Sequence, residues 1–271
     1  MKKEPLQQKE QEARKTRRDK GERHLTARDM WVLRWIADQY AVRLDQLRQL
    51  LSREPGNRNG CSPGPKGLTV SAVLQVIRRW REVPAWVEYE RIYVTQGWVW
   101  LTSYGERLLD LPYAKHTLRE SRLAHRYYIN AVRLDIERRH PEYQWRSERY
   151  LLSHLPRREQ AMKLPHVPDG ELWMSSDCGM AVEVELSPKS DQEVDAILLE
   201  LLGHYAGVWY FVTERDQVAT QAWRVVREAK SRLSELFQRR VQIVSLEEMG
   251  VFYHDANTKA PIASECAENS D

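Results

Sequence analysis

Val182, Val184 and Leu186 alternate with Glu183 and Glu185 in the run MAVEVELS, residues 180–187. A β-strand has a period of two, so both carboxylates leave one face while the valines enter the core. Upstream, HVPDGELWM carries Asp169 at the start of another strand-like run, and SSDCG between the two runs reads as a hairpin turn. In such a hairpin Asp169 lies opposite Glu183 or Glu185, depending on register. An even register puts all three on one face, where cross-strand side chains stand about 5 Å apart. Carboxylates held that close repel each other unless something positive sits between them. A hard divalent cation bound through oxygen, Mg²⁺ or Mn²⁺, meets that need. Such an ion between carboxylates and a phosphate activates water for phosphodiester cleavage. Alternation also puts polar residues on the open side of any half-exposed strand, so Glu-x-Glu alone does not define an active site.

A second group of residues suits nucleic acid. A helix opening near Thr69 or Ser71 packs Val70, Val73, Leu74 and Ile77 on one side. It presents Ser71, Gln75, Arg78, Arg79 and Arg81 on the other. A major groove admits a helix, and Arg or Gln there addresses guanine or adenine edges. Arginines that reach only phosphate fix position without reading sequence. A turn from Glu90 and Arg91 to Thr95 and Gly97 follows, placed to meet an adjacent groove or the backbone. Trp98 and Trp100 either stack on bases or pack against the first helix.

The elements that must position these residues fall into two blocks. Residues 1–23 hold nine Lys/Arg against five Asp/Glu with few apolar side chains, and read as a disordered basic arm. Residues 24–111 begin with Thr26 as a helix N-cap and Asp29 in the capping-box position. Met30, Leu33, Trp35, Ile36 and Tyr40 then recur at helical spacing. A short helix on Leu44, Leu47, Leu50 and Leu51 precedes a Gly/Pro loop at 55–67. After the arginine-bearing helix come two strand-like runs, WVEYERIYV and GWVWLT, and a short helix after Leu101-Thr102-x-x-Gly105. Three helices and then a β-hairpin is the order of a winged helix-turn-helix. A linker near Pro112–Lys115 leads to the second block, residues 112–254, which predicts the order α-β-β-β-α-β-α-β. There YQWRSERYLL reads as a strand, Ser190 and Glu193 form a capping box, and QVATQAWRVVREAKSRLSELFQ reads as one helix. Residues 255–271 read as a disordered tail. The fold class expected is α+β: a winged helix followed by an α/β domain with a mixed sheet.

The second block resembles the PD-(D/E)xK nuclease fold, on its element order, Pro168-Asp169, and Glu183-x-Glu185 one strand later. The resemblance implies that Asp169 and Glu183 bind the metal. The lysine usual in that family falls at Glu185 here, a departure that a minority of restriction endonucleases of this fold share. Lys189 would supply the missing charge, and Glu148 an outer carboxylate to the metal. Over residues 25–246 the chain also resembles the replication-relaxation proteins of bacterial mobile elements, which join a winged helix to a nuclease-like domain. That likeness rests on Leu101-Thr102-x-x-Gly105, Ala124-His125-Arg126, Asn130-Ala131-Val132-Arg133, Ser147-Glu148-Arg149, Pro168-Asp169, and Glu183-x-Glu185 with Lys189-Ser190. It implies a role in replication, relaxation or transfer of a plasmid or mobile element. Double-stranded DNA is the expected partner, with replication or mobilisation proteins and a second copy of the chain as further candidates.

Composition sets the outer limits. The net charge of +3 divides into +4 for residues 1–23, +3 for 24–111 and −4 for 112–271, which suits a front half that meets phosphates. Cys61, Cys178 and Cys266 are far apart and form no C-x-x-C pair, so neither a zinc knuckle nor a disulfide framework is expected. No run is long and apolar enough for a bilayer and the N-terminus lacks an apolar signal core, giving a cytoplasmic expectation with no membrane partner. His125 reads as a structural residue of an amphipathic helix, and His154, His166 and His204 are too scattered for a histidine metal site. Two rivals stand beside the nuclease reading: a DNA-binding regulator with an inactive nuclease-like domain, and a winged helix that binds only protein.

Overall fold

Thr26 starts the first helix, α1 (Ala27–Asp38). Its hydroxyl accepts the Asp29 amide, and the Asp29 carboxylate takes the Thr26 amide in return at 2.9 Å. The computed structural model describes residues 25–53, 67–82, 84–92, 97–113, 118–154, 166–175, 178–213 and 217–250. The expected basic arm, Gly/Pro loop (all but its last residue), Thr95 and Gln96 of the wing turn, Ala114 and Lys115 of the linker, and the tail lie outside them. After α1 come β1 (Val42–Arg43), α2 (Leu44–Leu51), α3 (Val70–Arg81), β2 (Val87–Glu90), β3 (Trp98–Leu101) and α4 (Ser103–Leu108). The three strands form an antiparallel sheet in the order β1-β3-β2. β1 has no counterpart in the sequence reading, because two residues carry no periodicity. Its partner, through Val42 opposite Val99, lies far along the chain.

Thr102 and Gly105 fix the exit from β3. The Thr102 hydroxyl accepts the Gly105 amide at 3.0 Å and donates to the Ala85 carbonyl at 2.7 Å. A Cβ on Gly105 would stand 2.1 Å from the Trp86 carbonyl oxygen, so only glycine lets backbone approach backbone there.

Beyond the linker run α5 (Leu123–Arg139), β4 (Gln144–Ser147), α6 (Glu148–His154), β5 (Gly170–Ser175), β6 (Cys178–Glu185), α7 (Asp191–His204), β7 (Gly207–Val212), α8 (Gln217–Arg232), α9 (Glu235–Gln238) and β8 (Val241–Ser245). The sheet order is β4-β5-β6-β7-β8, antiparallel through β6 and parallel from β6 to β8. The fold is therefore α+β with a mixed five-stranded sheet. Two expectations are corrected. The strand expected over YQWRSERYLL ends at Ser147, whose hydroxyl accepts the Tyr150 amide at 3.1 Å and turns the chain into α6. The single helix expected over residues 217–238 breaks after Arg232 and resumes after Ser234.

Helices cover both faces of the large sheet. Val182, Val184, Leu172 and Phe211 pack with Leu123, Tyr127 and Val132 of α5. Ala181, Val208, Tyr210 and Val212 pack with Val194, Leu198 and Leu201 of α7 and Ala222 and Val225 of α8. The parallel crossovers put α7 and α8 over the face that carries Glu183 and Glu185, so these acids are buried rather than set on an open side.

The front half shares a core with the back. Ala41, Ile92 and Trp98 belong to the cluster around α5. Asn130 donates to the Ala41 carbonyl at 2.9 Å, and Gln46 to the Tyr127 carbonyl at 2.8 Å. Glu137 gathers Trp35, Arg53 and Arg133. At the end of α1, Tyr40 adopts a left-handed backbone, φ 66°, with the guanidinium groups of Arg126 and Arg149 at 4.0 and 5.0 Å from its ring centre.

Candidate functional site

The β5–β6 ladder pairs Gly170 with Val182, and one further step sets Asp169 opposite Glu183. Asp169 uses Oδ2 to accept the Val184 amide at 2.9 Å, a side chain taking over where the ladder stops. From α5, His125 brings Nε2 within 2.8 Å of the Val184 carbonyl and 3.3 Å of Asp169 Oδ2. Glu183 Oε1 lies 2.9 Å from His166 Nε2, and the His166 amide donates to Glu200 of α7 at 2.8 Å. Glu185 receives the Lys189 ammonium and, at 3.3 Å, the Ser187 amide. Glu148 turns its carboxylate to Arg126 at 2.8 Å and offers Asp169 only its amide, which donates to the Asp169 carbonyl at 3.2 Å.

The two central acids titrate in opposite directions. Burial pushes Asp169 up, but the charge and hydrogen bond of His125 and the Val184 amide outweigh it and leave the carboxyl below its ordinary range. Burial pushes Glu183 up and the charge of Asp169 adds to this, so it stays raised although His166 pulls it down. Both histidines are raised: burial opposes their charge, and the carboxylates beside them more than restore it. Asp169 thus holds its charge beside an acid that burial, and then that charge, make harder to ionise.

Tyr210 stands next to Glu183 in the parallel β6–β7 ladder and is fully buried. Its hydroxyl has no hydrogen-bond partner among the described residues. Burial and the charges of Glu183 and Asp169 keep the phenol protonated. Among the described residues, no three His, Cys, Asp or Glu side chains form a ready-made ion cage. Two converging acids and an orphaned buried hydroxyl still suit Mg²⁺, which is commonly held by one or two carboxylates, waters and substrate phosphates.

Comparison with protein-family models, curated proteins and solved structures finds no match.

α3 buries Val73, Ile77 and Trp80 and exposes Ser71, Gln75, Arg78 and Arg81, while Val70, expected inside, is also exposed. Arg79 departs from the expected outward face. Its Nη2 lies 2.5 Å from Asp29 Oδ1, which also accepts the Trp80 indole N–H at 3.2 Å. Arg91 is exposed just after β2. A groove of about 530 Å³ runs between α3 and β2, lined by Leu74, Ile77, Arg78, Arg81, Glu82 and Tyr89. Trp98 is buried and Trp100 half-buried beside the α5 core, so Trp98 offers no face to a base.

The sequence reading gave three residues at the acids no part in the site. His166 is three positions before Asp169, a closeness that could have flagged it. His125, read as structural, touches Asp169. Tyr210 becomes visible only through the β6–β7 register. No helix among the described residues is long and apolar enough to cross a membrane.

Proposed function

We propose that this chain binds duplex DNA through a winged helix in its front half and cleaves or nicks phosphodiester bonds at Asp169 and Glu183. In this reading the back half is a nuclease-like domain of the PD-(D/E)xK type, serving replication, relaxation or transfer of a plasmid or mobile element. The observation that carries it is the convergence of Asp169 and Glu183, one acid lowered and the other raised, at the end of the β5–β6 ladder.

Asp169 and Glu183 would hold Mg²⁺ or Mn²⁺. When bound, the ion supplies Lewis acidity toward a phosphate oxygen and lowers the pKa of water. The chain's own residues orient the acids: Val184 and His125 fix Asp169, and His166 fixes Glu183. Lys189, held on Glu185, brings positive charge to the strand position where the family has lysine. Ser71, Gln75, Arg78 and Arg81 supply a polar and basic helix face for the groove, with Arg91 beside it.

Supercoiled plasmid incubated with the protein and Mg²⁺ or Mn²⁺ tests the reading. Nicking that disappears in Asp169→Asn supports it, and intact plasmid with every metal refutes cleavage. A second reading, a non-catalytic DNA-binding accessory, draws support from the internal partners of the acids. Each of Asp169, Glu183 and Glu185 already meets a His or Lys. It expects salt-dependent duplex binding with no nicking.

A further inference from the structure

We propose that Tyr210 is a positioning residue of the acid site, its hydroxyl hydrogen-bonding to the hydrated divalent cation held by Asp169 and Glu183. The inference rests on the cation reading above and adds a residue that neither the strand pattern nor the resemblance assigns.

Tyr210 is 0% exposed, yet its hydroxyl meets no hydrogen-bond partner among the described residues. Leaving a buried hydroxyl unmet costs about 1–3 kcal/mol. Phenylalanine would fill the same space against Val194, Leu198 and Val208 without that cost. The polar atom is placed where it has most to do. In the β6–β7 ladder Tyr210 is the direct neighbour of Glu183, and the charges of Glu183 and Asp169 both act on its phenol group. Water bound to a divalent cation turns its hydrogens outward, and the phenol oxygen can accept one of them. Full burial keeps Tyr210 from attacking a DNA backbone itself. A group retained at a cost in stability beside a binding site is the usual mark of function competing with folding.

The test titrates full-length protein with Mn²⁺ and follows free Mn²⁺ by electron paramagnetic resonance, comparing wild type, Tyr210→Phe and Asp169→Asn. Thermal unfolding of the metal-free proteins runs in parallel. We expect Tyr210→Phe to weaken Mn²⁺ binding by about ten-fold, the low end for groups that act through a metal's surroundings. Its metal-free Tm should equal or exceed that of wild type. Wild-type affinity in Tyr210→Phe, with binding lost in Asp169→Asn, overturns the role of Tyr210 and leaves the cation reading standing. Absence of Mn²⁺ binding to wild type overturns both. A metal-free Tm several degrees lower in Tyr210→Phe also overturns the inference, because the hydroxyl would then have a partner in the resting protein.

Discussion

Asp29 and Arg79, 50 residues apart in the chain, meet at 2.5 Å and tie the first helix of the front half to the third. The same carboxylate accepts the Trp80 indole and the Thr26 amide and hydroxyl, all at 0% exposure of Asp29. Asp29→Ala keeps the Thr26 hydroxyl on the backbone amide at position 29 but leaves the buried Trp80 indole N–H unmet, at about 1–3 kcal/mol. Arg79 is 40% exposed and returns its head to water, so it adds little. Urea unfolding should show a loss of about 2 kcal/mol. A loss below about 1 kcal/mol would mean that Trp80 finds another acceptor.

Gly105→Ala tests the close approach behind the Leu-Thr-x-x-Gly pattern. The new methyl would meet the Trp86 carbonyl oxygen at 2.1 Å, and that carbonyl is backbone that already accepts the Thr102 amide. Forced overpacking of this kind costs about 1–3 kcal/mol. The denaturation midpoint should fall accordingly, and a wild-type midpoint would show that β2 can move aside.

The junction between the halves should weaken in acid. Burial raises Glu137, but Arg133 and Arg53, each 2.7 Å away, pull its carboxyl below the ordinary glutamate range. A carboxyl lowered on folding stabilises the protein fully above its unfolded value, about 4.3. That stabilisation is lost as pH falls through the lowered folded value. Thermal unfolding of wild type from neutral pH down through that range should therefore fall more steeply than that of Glu137→Gln. Parallel curves would contradict the assignment.

DNA binding should separate Arg78 and Arg81 from Arg79, whose head is held by Asp29. Arg78→Ala and Arg81→Ala should each weaken duplex affinity and reduce the log–log salt slope by about 1 if the contact is to phosphate. Arg79→Ala should leave the slope unchanged, because its head is engaged with Asp29. Fluorescence anisotropy at several salt concentrations reads both. An unchanged slope in Arg78→Ala and Arg81→Ala would remove α3 from the interface.

Local chemistry was legible in the sequence and long-range placement was not. Thr26 with Asp29, Thr69 before α3 and Ser190 with Glu193 mark helix starts because a cap and its partner are three residues apart. The shared face of Glu183 and Glu185 follows from strand period alone, and the structure resolves the register in favour of Glu183 opposite Asp169. Burial of that face was not legible, because it depends on α7 and α8 folding back over it. The inward turn of Arg79 escaped for the same reason: helical spacing sets a direction, whereas its acceptor comes from another helix. His166 looked isolated because its partner, Glu183, is on the far side of a hairpin.

α5 serves two masters along its length. Its first turns carry His125 and Arg126, which lean on the strand ends bearing the acids, and its later turns carry Asn130, Arg133 and Glu137, which grip the front half. A rod so anchored cannot rotate at one end without turning the other. The protein is thus built less like beads on a string than like a wrench, whose jaw and handle are one piece of metal. Cutting it at residue 111 would bare Ala41 and Trp98 to water and strip the handle of its grip.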